Sequence, residues 1–119
     1  SHRLYYDNKV TTYDHVWEKV TPIIDKIKPH KLIRAKANLV VNREKVDYCK
    51  YHIDSKEDHM VGVYYMTTCN GFTSLGIEDK IRIKCEENKL LIFDGKIPHS
   101  VVSQTDEDQR IVINFNFIK

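Results

Sequence analysis

The chain has no apolar run near the ~20 residues that a membrane-spanning helix requires, so no membrane partner is expected. Cysteine is scarce and badly placed for cross-linking. Cys49, Cys69 and Cys85 are odd in number and widely spaced, which speaks against a disulfide framework and for a reducing, cytoplasmic setting. An excess of charge of one sign is missing too, because 19 Lys and Arg face 17 Asp and Glu for a formal net charge of +2. The basic residues form no stripe with aromatic partners, so no nucleic-acid footprint is expected. Lys26, Lys28, Lys31, Arg34 and Lys36 cluster locally and read as a solvated helix-to-strand face. No signal peptide is visible where Ser1-His2-Arg3 leads into a polar, aromatic stretch. Internal repeats, low-complexity tracts and linkers are also missing. The 119 residues therefore read as one domain spanning 1–119. A chain of this size buries roughly 60% or more of its unfolded surface, enough for a core without staples.

What is present begins with a helical segment over about 13–28. Val16, Val20, Ile23, Ile24 and Ile27 fall on one stripe. Pro22 interrupts the stripe, while Thr21-Pro22 also suits an N-cap and first helical position, so one kinked helix and two short ones both fit. Pro29 ends the segment. From Leu32 the chain turns to strands: Leu32 to Asn42, Met60 to Thr67, Ile81 to Cys85, Leu90 to Phe93, His99 to Ser103 and Arg110 to Ile118. A further short strand is expected around Tyr48 to Asp54. Asn70-Gly71, Glu87-Asn88 and Asp94-Gly95 supply turns. One helix followed by many short strands predicts a mainly β barrel or sandwich over about 32–118, with the helix packed outside. In the last strand Ile111, Ile113, Phe115 and Phe117 suit packing under the helix. Arg110, Val112, Asn114 and Asn116 share the other face, which lines a cavity or, in the plainer reading, meets solvent.

The chemistry concentrates in His52-Ile53-Asp54, His99 and Arg110. Two imidazoles and one carboxylate can fill one face of an octahedral Fe(II) ion and leave the opposite positions open. A His-x-Asp step suits a strand, where residues i and i+2 point to one side. A guanidinium fixed on the last strand is a fork for a carboxylate. Cys49, three positions before His52, would point to the opposite face of a regular strand, so a buried free thiol is the expected role rather than a thiolate ligand. His2, His15 and His30 read as surface or hydrogen-bonded residues, and His59 as part of a solvated loop.

In these residues, and in Val61-Gly62-Val63-Tyr64-Tyr65-Met66, Asn70-Gly71-Phe72-Thr73, Leu91-Ile92-Phe93-Asp94-Gly95 and Pro98-His99, the sequence resembles the 2-oxoglutarate- and Fe(II)-dependent oxygenases. The likeness is nearest their prolyl-hydroxylase-like branch and covers about 34–117. The resemblance implies a double-stranded β-helix, a jelly-roll or cupin-like barrel. It implies Fe(II) held by His52, Asp54 and His99, with 2-oxoglutarate as cosubstrate and O2. Arg110 would anchor the far carboxylate of 2-oxoglutarate, helped by the Tyr65 phenol, with Thr73 lining the pocket. The implied activity is hydroxylation of an unactivated C–H bond with release of succinate and CO2, on a prolyl residue of a peptide or protein or on a small molecule, by a monomer. Three features depart from the family pattern. Cys49 stands where many relatives carry a tyrosine, which removes that tyrosine's role; the short loop Ser55 to His59, and Asn116 where some relatives carry a tryptophan, imply a more open site. Alternative readings are a non-catalytic cupin-like metal- or ligand-binding module and a metal-dependent hydrolase on the same barrel. The acidic loop Asp106-Glu107-Asp108 reads as a solvated turn, or else as a feature favouring a basic substrate.

Overall fold

The computed structural model describes residues 2–42, 50–78 and 80–119. Nine strands and one helix follow in the order β1 (His2–Tyr6), β2 (Lys9–Val10), α1 (Asp14–Ile27), β3 (Lys31–Val41), β4 (Met60–Tyr65), β5 (Phe72–Leu75), β6 (Ile81–Lys84), β7 (Lys89–Asp94), β8 (His99–Val102) and β9 (Gln109–Ile118). A six-stranded antiparallel sheet runs β2-β1-β3-β9-β4-β7, and a three-stranded one runs β6-β5-β8. Among the described residues no helix is long and apolar enough to cross a membrane.

Helix α1 is one element, which settles the ambiguity around Pro22. Proline lacks the amide that would bond the Glu18 carbonyl, and the Thr21 hydroxyl donates to that carbonyl instead, at 3.0 Å. Thr21 is therefore an internal repair of the helix rather than its N-cap. Lys28 closes the helix in the left-handed conformation, its amide bonding Ile24 O. The stripe from Val16 to Ile27 packs on Leu4, Ala35, Ile113, Phe115 and Phe117 of the large sheet.

Strand β9 divides its alternating side chains between two layers. Its odd-numbered residues face the helix, while Val112 joins Val61, Val63, Tyr65, Leu75, Cys85 and Phe93 in a second core on the other face of the sheet. The polar even-numbered residues are thereby turned inward, and Arg110 and Asn116 are buried. This alternation is the local reason a guanidinium lies inside a small β fold.

Three expectations change. The β1–β2 hairpin and strand β5, which sequence reading placed in an unassigned stretch and in a turn, are both formed. The short strand expected around Tyr48 to Asp54 is not a strand in its described part, where His52 forms an isolated antiparallel bridge with His99. Tyr48 and Cys49 lie outside the described residues.

Candidate functional site

His99 opens β8, and its backbone exchanges two hydrogen bonds with His52, at 3.0 and 3.1 Å. That bridge brings the imidazoles together with ring centroids 4.5 Å apart. Asp54, two residues on, directs Oδ1 to within 3.3 Å of His52 Nε2 and 3.7 Å of His99 Nε2. The three ligand atoms all lie within 4.8 Å of one another and could hold a metal ion.

The ring orientations follow from the backbone. His52 Nδ1 lies 3.1 Å from Lys50 O, and His99 Nδ1 lies 3.2 Å from Ile97 O. A carbonyl only accepts, so each Nδ1 carries the proton and each Nε2 presents its lone pair to the centre of the group. Asp54 Oδ2 accepts from Asn116 Nδ2 at 2.9 Å, and Asn116 Oδ1 accepts from Arg34 Nε at 3.0 Å. The neighbouring His99, with smaller contributions from Asn116 and His52, holds the Asp54 carboxyl well below the usual carboxylate range against the opposing effect of burial. A carboxylate kept ionised is the form that binds a cation.

These groups face a cavity of about 130 Å³ between the two sheets, with His52, Asp54, His99, Thr73 and Arg110 among its lining. One water occupies about 30 Å³ of liquid, so this volume corresponds to about four waters, and the cavity is open to solvent on one side. Arg110 is 1% exposed, and its Nη1 donates to Val102 O at 2.8 Å while its Nε has no partner. A buried guanidinium donor with nothing to bond is costly unless a ligand satisfies it. Thr73 lines the cavity. Tyr65 is fully buried behind it, its hydroxyl 2.6 Å from Thr73 Oγ1, so the phenol meets the cavity through the threonine. Burial pushes the Tyr65 phenol above its ordinary pKa, although the Thr73 bond and the Arg110 charge oppose it.

Sequence reasoning missed two things here. Arg34 and Lys36, read as part of a solvated face, line the cavity and are half-buried. The signal was their even-numbered spacing with Asn38 along β3, where Arg34 and Lys36 pair with Asn116 and Asn114 of β9. His59, read as solvated, is 7% exposed, its Nδ1 2.7 Å from Glu57 O and its ring against Gly95. It is not among the residues lining this cavity. Asn116 proved to be the residue that orients Asp54, and Asn114 lines the cavity. In the acidic loop, Asp106 accepts from the Asn70 amide at 3.0 and 3.1 Å.

No protein-family model and no curated protein matches the chain. Solved structures match its shape. A cupin protein from Bacteroides fragilis superposes with a TM-score of 0.56 at 9% identity, over 81% of this chain and 73% of its own. An oxidoreductase of the 2OG-Fe(II) oxygenase family from Burkholderia pseudomallei gives 0.70 at 10% identity over 97% of this chain. This chain spans 64% of the length of that oxygenase. An RmlC-like cupin protein from Desulfovibrio desulfuricans gives 0.52 at 13% identity, over 71% of this chain and 77% of its own. At such identities the likeness establishes the fold alone, a mainly β, cupin-like one.

Proposed function

We propose that the protein is an Fe(II)- and 2-oxoglutarate-dependent dioxygenase that hydroxylates an unactivated C–H bond and releases succinate and CO2. The observation that carries this reading is the coincidence, in one cavity, of a His-Asp-His group able to hold a metal and a buried Arg110 with an unspent donor. The two sheets are read as the halves of a double-stranded β-helix.

The residues fit the two absent groups. His52 and His99 offer neutral imidazole nitrogens and Asp54 an ionised oxygen, the donor set suited to non-haem Fe(II). When bound, ferrous iron supplies the activation of O2 coupled to oxidative decarboxylation of the 2-oxo acid. The protein's share is position. Asn116 fixes the Asp54 carboxylate, and the Lys50 and Ile97 carbonyls fix the two rings. Arg110 receives the far carboxylate of the cosubstrate, a charge-assisted bond that contributes about 1.5–3 kcal/mol. Tyr65 holds Thr73 toward the same pocket. Val61, Val63, Val101 and Val112 make one part of the wall apolar, which limits water beside the reacting centre. Hydroxylation of a prolyl residue rests on the sequence resemblance alone.

A second reading, a cupin-like module that binds metal without turnover, draws on the two neighbours described only as cupin proteins. Anaerobic titration with Fe(II) and then 2-oxoglutarate separates the two. The oxygenase gives the visible charge-transfer band of a chelated 2-oxo acid, lost in His99→Ala and reached only at higher 2-oxoglutarate in Arg110→Ala. Metal binding without that band selects the module.

A further inference from the structure

Two cations in the cavity are not used by the proposed chemistry. Arg34 and Lys36 line its β3 wall. Strand pairing sets Arg34 level with Asn116 and Lys36 level with Asn114, while Arg110 lies level with Val40. At about 3.3 Å per residue, Asn116 and Arg110 are about 20 Å apart along β9. By backbone register, Arg34 and Lys36 thus stand nearer than Arg110 to the position where Asn116 holds Asp54. Neither has an acidic partner among the described residues; the Arg34 side chain donates Nε to a neutral amide. The only carboxylate among the described lining residues is Asp54.

The charge balance points the same way. A divalent ion, Asp54, the 2-oxoglutarate dianion and Arg110 would neutralise one another, which leaves Arg34 and Lys36 as two uncompensated positive charges. Strand β1 adds a third, since Arg3 pairs directly with Lys36 across the sheet. Like charges placed opposite each other are unfavourable, and an anion bound beside them removes the penalty. The basic strip thus continues from the cavity toward the exposed β1 residue Arg3.

Resting on the oxygenase reading, we propose that the substrate is a small organic acid whose anionic group is held by Arg34 and Lys36, which places a neighbouring carbon at the His52-Asp54-His99 group. A neutral prolyl segment offers these cations no opposite charge.

The test uses calorimetry on protein loaded with Zn(II) and saturating 2-oxoglutarate, so that the Arg110 site is filled before any probe is added. L-malate, L-aspartate and glycerol 3-phosphate are the anionic probes, and N-acetyl-prolinamide is the neutral one. At least one anionic probe is expected to bind, about tenfold more weakly in Lys36→Gln, with recovery in Lys36→Arg and weakening as salt rises. Lys36 makes no side-chain hydrogen bond or ion pair among the described residues, so its substitution spares the fold; a thermal melt of each variant checks this. Equal binding by wild type and Lys36→Gln, binding of the prolinamide alone, or no binding of any anionic probe would overturn the proposal. The anaerobic Fe(II) and 2-oxoglutarate band separates the two levels. Its absence sinks the oxygenase reading and this one with it, whereas a normal band beside any of those three results sinks the acid substrate alone.

Discussion

Gly71 leaves open the space that the Arg110 guanidinium fills. A Cβ built on Gly71 would lie 2.9 Å from Arg110 Nη1 and 2.8 Å from the Val102 oxygen that this nitrogen binds. The turn is pinned over the arginine from outside. The Asn70 amide bonds Asp106, the Asn70 side chain donates to Thr105 Oγ1 at 2.8 Å, and its Oδ1 accepts from the Thr105 amide at 2.8 Å. Gly71→Ala is therefore expected to cost about 1–3 kcal/mol of stability through overpacking. The displaced guanidinium should also raise the 2-oxoglutarate requirement about tenfold. Urea unfolding and cosubstrate titration measure the two effects. An unchanged cosubstrate requirement in a folded variant would detach Arg110 from that role.

Asn116 joins two charged groups with one amide, donating to Asp54 and accepting from Arg34. Asn116→Ala frees the Asp54 carboxylate to rotate, and metal affinity is expected to fall about 10–100-fold, the usual effect of losing an outer-shell partner. Competitive titration against a chelator reads the change. Full affinity in Asn116→Ala would mean that the neighbouring backbone alone sets the carboxylate.

Cys85 is buried, its thiol donating to Thr67 O at 3.1 Å, while Cys69 is partly exposed. Burial, then the hydrogen bond with Cys69, pushes the Cys85 thiol up to about 11. Its thiolate, the reactive form, is then about one part in a thousand at pH 8 and rises as pH approaches 11. Alkylation of native protein at pH 8 should mark Cys69 well before Cys85, and unfolding should equalise them. Peptide mass mapping decides; early labelling of Cys85 would contradict the buried placement.

Phe115 is fully buried between β9 and the helix layer. Phe115→Ala is expected to destabilise the protein by about 3–5 kcal/mol without touching the inner face of the strand. The surviving folded fraction should still bind metal, as a metal titration at low temperature would show.

The alternation of β9 and the stripe of α1 were legible in the sequence because each follows a simple period that tertiary packing reinforced. The His-x-Asp step and His99 were legible as a set, although the element carrying the step is a single bridge rather than a strand. The β1–β2 hairpin had a usable signal in Asp7-Asn8, both with positive φ (53 and 61), the residue types such a turn prefers. The direction of Arg34 and Lys36 was harder to read. A mixed polar and apolar run such as Lys31–Val41 does not declare which face is inner until its partner strand is known. His59 escaped because its burial depends on Gly95, a contact distant in sequence that no local pattern encodes.

The two imidazoles differ in their access to solvent. The His99 side chain is 9% exposed and the His52 side chain 48%. His99 belongs to a paired strand, whereas His52 is joined to it by two backbone hydrogen bonds. An ion held between them would thus have a fixed inner wall and an outer door. Release would begin at His52, so a change there should alter the rate of exchange more than the choice of metal.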